Sequence, residues 1–524
     1  MANPLVIGID YGSDSARASL TDAISGQTLA SASEPYPRWA EGRYSDVSEA
    51  RFRHHPLDYL EVLEKIIREV VSSAPNPADI QAIGIDVTAS TPCFVDAQAR
   101  PLSLRKEFAE DPDAMFILWK DHTAASESEK IESLCKNKSY HYQSGGFYGP
   151  ENFWSKAAHI VSTNPAVTSA ATTAIEACDY LAAELTGVRD VAKVCVGETC
   201  ARVKGLYDSA LPGGYPPQSF FAAIHPDLPR IVEAYPKTVK NAFESVGTLS
   251  QEWAEKLSLG THVKVGAGAV DAYAGAIGGG VGDGKVVLNM GTSACYMAVR
   301  KGTSHSPVSG VFGQGANTML PGYTGYEAGL SAFGDVFAWF QNLLLWGRDK
   351  KENLLATLGK EAEKIVPTDK TPIATDYFNG RRTPDPNPNL SACIEGLRLG
   401  TSPIEIYYAL GESLAFASRR VLEHFTSNGI PVESLIGVGG ISQKSPFLMQ
   451  LMADTIGLPL SVVSANEGCV LGSVIHAAVV AGVYPDIFAA QNALSSPIAK
   501  TYCPRAERKA ILDLRYARYL ELCK

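Results

Sequence analysis

The chain is short of the features that would send it to a membrane, to nucleic acid or to zinc. No apolar run reaches the roughly 18 residues that a membrane-spanning helix needs. The nearest approach, 470–483, is broken by Ser473 and His476 and reads as a buried helix. Met1–Pro4 passes straight into Leu5–Ile9 with no basic segment, so no secretory leader is expected. Basic residues are in deficit: 46 Lys and Arg against 56 Asp and Glu leave a formal net charge of −10. That balance excludes wrapping nucleic acid or an anionic membrane by bulk charge, and confines phosphate binding to local geometry. The ten cysteines contain no C-x-x-C pair, Cys195 and Cys200 being the nearest two. Buried, reduced thiols in a cytoplasmic protein are therefore expected. Also missing are the P-loop G-x-x-x-x-G-K-[ST] and the glycine-rich loop set of protein kinases. Any phosphate site must be built on another scaffold.

What is present is length and a repeat. At 524 residues the chain exceeds the roughly 250–300 at which a single core stops growing. Three segments of the first half have partners, in the same order, in the second. Val6–Ser13 resembles Lys285–Thr292: an apolar strand, a Gly-Ser or Gly-Thr turn, then a second strand-like run (Ala16–Leu20; Ala294–Val299). Ala82–Asp86 resembles Leu435–Gly439, each after an amphipathic stretch, Pro56–Ser72 and Ile404–Phe425. Val263–Ala267 leads through Asp271 into a small-residue helix, as Leu460–Ser464 leads into Val470–Val483. Duplication explains the shared order better than chance. Alternating strands and helices predict an α/β class, and the opening hairpin implies a mixed sheet in each half. The boundary is expected in the glycine-rich stretch Gly278–Gly284, which serves either as a hinge or as a plain surface loop, giving domains 1–282 and 283–524.

The turns carry the chemistry. In Asp10-Tyr11-Gly12-Ser13-Asp14-Ser15, glycine lets the backbone turn tightly, so successive N–H groups and the hydroxyls of Ser13 and Ser15 can face an anion. Asp10 ends the first buried strand, a position suited to Mg²⁺. Gly291-Thr292-Ser293 repeats the arrangement with Asn289 where Asp10 stood. One turn alone is most simply a hairpin; two at matched positions point to phosphate. Gly439-Gly440, between a strand and the helix Pro446–Ile456, allows close approach by a flat ring, or is a tight strand–helix turn.

These segments, with Gly266–Asp271, resemble in order and spacing the FGGY carbohydrate kinases across essentially the whole chain. The resemblance implies a duplicated actin-like (ribonuclease H-like) fold with an interdomain cleft, ATP and Mg²⁺ as cofactors, and a sugar as phosphoryl acceptor. Tyr36–Trp39, Phe52–Pro56, Met115–Thr123, Ser331–Asp335 and Phe378–Pro384 are most similar to the ribulokinase branch. That similarity implies transfer to the terminal hydroxyl of L-ribulose, as in L-arabinose breakdown. It also implies roles residue by residue. Asp271 matches the catalytic base, and the backbone around Cys93, with Lys204 and Glu327, matches the sugar contacts. Gly12, Ser13, Ser15, Arg17, Gly291, Thr292, Gly439, Gly440 and Lys444 are the phosphate and nucleotide candidates.

Plainer readings stand beside several of these. Asp271 is also an ordinary N-cap, Lys204 a solvated surface lysine, and Glu327 a helix-start acid. Trp119 and Asp121, in Trp119-Lys120-Asp121-His122, either wall the sugar or form a core edge. His54-His55 has no metal-ligand partners nearby and reads as structural. Within the family, another ketopentose, a pentitol or glycerol is the rival acceptor, and an actin-like ATPase without sugar transfer is the rival class. A homo-oligomer stays open.

Overall fold

A computed structural model of the chain describes residues 3–346, 354–465 and 467–524; Met1 and Ala2, part of the stretch read for a leader, lie outside the described residues. The chain forms two units. Unit 1 holds Met1–Gly278, Gly313–Pro321 and Cys469–Ser495, and unit 2 holds Gly279–Phe312, Gly322–Gly468 and Ser496–Lys524. The division at 282/283 anticipates one crossing, whereas the chain returns twice to unit 1.

In unit 1 the strands β1 (Leu5–Tyr11), β2 (Ser15–Asp22), β3 (Thr28–Pro35) and β4 (Ile80–Val87) form the centre of a sheet. A small ladder beside it joins β5 (Pro92–Val95) to β6 (Thr173–Glu176), and β7 (Ser245–Thr248) and β8 (Lys264–Gly266) finish the main sheet. Its order is β3-β2-β1-β4-β8-β7, with Ala269–Val270 continuing the pairing on β4. The pairings run antiparallel, antiparallel, parallel, parallel, antiparallel. β1 is buried along its whole length, as a continuous apolar run at the centre of a sheet should be.

The helix Pro56–Ser72 covers β2 and β3. Its Tyr59, Val62, Leu63, Ile66, Ile67 and Val70 recur at the i, i+3, i+4 spacing of one helical face, and all are buried. Pro56 opens it at N1, and His55 caps it by accepting from Leu57 N at 3.1 Å. His54 is buried with its Nδ1 3.2 Å from Tyr59 Oη, so the His-His pair is structural.

Unit 2 repeats the plan with β9 (Lys285–Met290), β10 (Ala294–Lys301), β11 (Tyr323–Leu330), β12 (Ser434–Val438), β13 (Leu460–Val463) and β14 (Ile498–Tyr502). The order β11-β10-β9-β12-β13-β14 carries the same succession of antiparallel and parallel pairings. The duplication is therefore a property of topology as well as of sequence. The register corrects one detail: Gly8 faces Gly84, while its counterpart Val287 faces Ile436, one residue before the Gly437 that the sequence pairs with Gly84. The helix Pro403–Ser427 packs on Pro446–Ile456 and opens with a capping box between Ser402 and Glu405.

Two glycines in unit 1 allow the helix Gly468–Ala481 to lie directly on the sheet. A Cβ at Gly84 would stand 2.2 Å from Ser473 O, and one at Gly8 2.6 Å from Val470 O. A third, Gly472, brings the same helix onto Asp271–Gly279, where a Cβ would meet Ala274 O at 1.8 Å. These approaches set the N-terminal turn of Gly468–Ala481 against the carboxyl ends of β1 and β4, where the site lies.

Candidate active site

Three acids gather at the carboxyl ends of adjacent strands in unit 1. Asp10 lies opposite Asp86 across β1 and β4, and Asp86 lies opposite Ala269, two residues before Asp271. Sheets of this kind take ligands at that edge. Asp10 and Asp86 are buried. Asp10 pairs with Arg17 at 3.2 Å, and Asp86 Oδ2 accepts from Ser473 Oγ at 2.6 Å. Asp86 Oδ1 is buried with no hydrogen-bond partner among the described residues. Burial pushes Asp86 well above the ordinary carboxylate range, and the charge of Asp10 pushes it further; burial also raises Asp10, against hydrogen bonds from Asp86 and Arg17. Without a cation the pair keeps a proton, because two buried carboxylates this close cannot both ionise.

Ligand atoms of Asp10, Asp86 and Cys469 lie within 4.8 Å of one another. The donor set fits a hard divalent cation through its carboxylates only. Burial holds the Cys469 thiol far above its usual range, so it is neutral, and a soft sulfur is a poor partner for Mg²⁺. The sequence singled out Asp10 and missed Asp86. The signal was available: an acid closing an apolar strand that lies next to β1.

Asp271 begins the helix Asp271–Gly279 and is half-buried, its Oδ1 accepting from Ala272 N at 2.7 Å. Its charge is felt by Asp86 and Cys469, so it belongs to the same cluster.

The turn after β1 is held from outside. Gly12 N donates to Ser15 O at 3.0 Å, Tyr36 Oη donates to Gly12 O at 3.0 Å, and Tyr36 N donates to Asp14 O at 3.1 Å. Trp39 Nε1 donates to Asp14 Oδ1 at 2.7 Å, and Trp119 Nε1 donates to Ser13 Oγ at 2.9 Å. With its oxygen already accepting, the Ser13 hydroxyl has its proton left to give to a phosphate oxygen. Ser15 and Arg17 lie on β2, the hairpin's second strand, and both are partly buried.

On the sugar side the outcomes differ. Cys93 is fully buried on β5, its thiol in the core, so any role there belongs to the backbone. Lys204 is 6% exposed, which removes the surface-lysine reading; its carbonyl accepts from Tyr148 Oη at 2.6 Å, and its charge is felt by Lys156. Trp119 is partly exposed and turned to Ser13, with Lys120 over the neighbouring Trp39 ring at 4.8 Å. Asp121 is a correction. It is 0% exposed, and its carboxylate accepts from Phe52 N at 2.7 Å, Thr123 N at 3.1 Å and Thr123 Oγ1 at 2.5 Å, besides pairing with buried Arg53. Its oxygens are engaged in fixing the segment after Leu118, which favours the core-edge reading over the sugar wall.

In unit 2, Gly291 N donates to Ser293 O at 2.9 Å. The Gly291-Thr292 carbonyls accept from Gly334, Phe333 and Asp335 N–H groups at 3.0, 2.7 and 3.3 Å, at the start of the helix Gly334–Leu344. Gly439 has φ 88°, and a Cβ there would stand 2.7 Å from Met290 O, so this turn needs glycine. Gly440 is exposed, a Cβ there would have Lys444 Nζ at 4.0 Å, and Lys444 itself is exposed. Glu327 lies inside β11, which overturns the helix-start reading; its Oε2 is buried without a partner among the described residues.

Comparison with known proteins bears on family and fold. The N-terminal domain model of the FGGY family of carbohydrate kinases matches residues 5–278, and the C-terminal domain model matches 286–481. A ribulokinase of Vibrio parahaemolyticus is 37% identical, over 99% of this chain and 95% of that one. A ribulokinase of Geobacillus thermodenitrificans is 32% identical, over 100% and 94%. In fold, the chain is similar to a xylulose kinase from Rhodospirillum rubrum, with a TM-score of 0.79 at 20% identity over 99% and 98% of the two chains. Among the described residues, no helix is long and apolar enough to cross a membrane.

Proposed function

We propose that this chain, which belongs to the FGGY family of carbohydrate kinases, transfers the γ-phosphoryl group of ATP to the terminal hydroxyl of L-ribulose. The observation that carries phosphoryl transfer is the meeting of Asp10, Asp86 and Asp271 at the carboxyl ends of neighbouring strands. The choice of sugar rests on the full-length likeness to ribulokinases.

Asp10 and Asp86 are the residues that would hold Mg²⁺, either directly or through its water. The ion, when bound, would neutralise part of the phosphate charge. The protein's part is alignment and charge. Gly12, Ser13 and Ser15 offer hydroxyls and backbone N–H groups to the phosphates, and Arg17 adds a positive charge. Gly291 and Thr292 are assigned the same task on unit 2, with Gly439, Gly440 and Lys444 assigned to the adenosine. Lys204, Glu327, Trp119 and the backbone at Cys93 are assigned to the sugar hydroxyls. Asp271 accepts a hydrogen bond from the terminal hydroxyl and orients it towards the γ-phosphorus. The new O–P bond forms as the bond from γ-phosphorus to the bridging oxygen breaks, the hydroxyl proton passes to Asp271, and ADP leaves. A cytoplasmic setting fits the ten cysteines, which form no disulfide among the described residues.

A coupled ADP-release assay across L-ribulose, D-ribulose, the two xyluloses, ribitol and glycerol tests this. L-Ribulose is expected to give the highest kcat/KM, by about tenfold or more over the pentitol and glycerol. Preference for a pentitol or glycerol would overturn the choice of sugar. ATP turnover indifferent to every sugar would overturn the kinase reading.

A further inference from the structure

Behind the sugar-side residues of unit 1 lie a buried lysine and a buried glutamate to which the reaction assigns no task. Lys156, on the helix Phe153–Thr163, is 1% exposed. Its ammonium donates to Ser90 O at 2.6 Å and Leu118 O at 2.6 Å, with Ile117 O at 3.4 Å. Three N–H donors meet three backbone carbonyls. Glu176 closes β6 and is 2% exposed. It accepts from Thr91 N at 2.7 Å and from the Ser90 hydroxyl in a short hydrogen bond. Ser90 is thus gripped at its carbonyl by the cation and at its hydroxyl by the anion. Thr91 is locked as well, its Oγ1 donating to Thr88 O at 2.7 Å and its carbonyl accepting from Ala177 N at 3.0 Å.

The two gripped segments sit at informative places. Thr88–Thr91 joins β4, which ends at Asp86 and Val87, to β5, which carries Cys93. Leu118 immediately precedes Trp119, whose indole reaches Ser13. Burial pulls the Lys156 ammonium down to about 7, with the charge of Glu176 opposing the fall, so neither charge is comfortable alone. Lys156 spends its donors on backbone carbonyls and Glu176 its acceptors on Thr91 N and the Ser90 hydroxyl, which matches a demand for backbone position.

We infer that Lys156 and Glu176 are positioning residues for the sugar step: from behind, they fix the backbone of Thr88–Cys93 and of Ile117–Trp119 relative to each other. This rests on the sugar-kinase reading above. A shift of either segment by a fraction of an ångström would misplace the sugar, whereas the phosphate turn keeps its Trp119 bond within reach and is held besides by Tyr36 and Trp39.

The test uses the full-length protein with Lys156→Met, Glu176→Gln and Ser90→Ala. The readouts are the KM for L-ribulose, the KM for MgATP, kcat and Tm. Lys156→Met is expected to raise the sugar KM about tenfold or more, with the MgATP KM within about twofold. Because that variant leaves carbonyls unpaired and can fail to fold, Ser90→Ala and Glu176→Gln decide the matter. Each is expected to raise the sugar KM about three- to tenfold with Tm close to that of the parent. Unchanged sugar constants in folded Ser90→Ala and Glu176→Gln would overturn the inference, as would equal shifts in both KM values. Absence of sugar-dependent ADP release in the parent protein would instead remove the kinase reading, and this inference with it.

Discussion

Trp119 Nε1 donates to Ser13 Oγ at 2.9 Å, across 106 residues of sequence. One hydrogen bond therefore joins a segment assigned to the sugar to the turn assigned to the phosphates, both in unit 1. The indole N–H is a donor only, so it occupies the serine oxygen and leaves the serine proton free to point elsewhere.

Trp119→Phe removes that donor while keeping an aromatic wall. The expected result is a rise of about three- to tenfold in the KM for both L-ribulose and MgATP, because the released Ser13 hydroxyl loses its fixed direction. Steady-state kinetics with each substrate varied checks this. A change confined to the sugar would show that the wall alone matters.

Asp86→Asn separates a metal-site acid from a structural one. Asparagine keeps the shape and an acceptor for Ser473 but removes the charge a cation would need. The Mg²⁺ concentration for half-maximal rate is expected to rise about tenfold or more, with Tm unchanged or higher, since burying a carboxyl is costly. Titrating Mg²⁺ at saturating ATP and sugar is the check, and an unmoved midpoint would remove Asp86 from the metal site.

Much of this was legible in the sequence, for identifiable reasons. The helices Pro56–Ser72 and Pro446–Ile456 are found at the bounds read from the chain, because proline at N1 marks each start and an apolar face runs through each. The paired glycine turns and the mixed sheets followed from the repeat. What stayed illegible was burial decided by distant elements. The partner of Asp86, Ser473, is 387 residues away, and Lys204 is covered by Tyr148 from another element. Asp121 looked polar and available, yet Phe52, Arg53 and Thr123 use its oxygens. Glu327 sits in a strand whose sequence, Tyr-Thr-Gly-Tyr-Glu-Ala-Gly-Leu, is too rich in glycine and alanine to look like one.

Stability should depend on pH through Asp179. This acid is buried, accepting from Gly197 N at 2.8 Å, and burial pushes it up to about 8. The unfolded chain releases the same proton near the ordinary carboxylate value of about 4. Between those values the folded state holds the extra proton, so the contribution is full at low pH and is lost as pH rises towards 8. Asp179→Asn fixes the neutral form. The Tm difference, variant minus parent, is expected to grow steadily from pH 5 to pH 8; a constant difference would contradict the assignment.

Asp271→Asn probes the proton acceptor. kcat is expected to fall by about 10²- to 10⁴-fold, while nucleotide affinity in a direct binding titration stays within about threefold. Near-normal turnover would place the base elsewhere.

The central claim is that ATP gives its phosphoryl group to a sugar hydroxyl and not to water. ³¹P NMR of the protein with MgATP and L-ribulose tests it most directly. The account predicts a phosphomonoester signal, coupled to the terminal methylene protons of the sugar, growing in equal amount with ADP. Inorganic phosphate growing in equal amount with ADP, with no sugar ester, would contradict it.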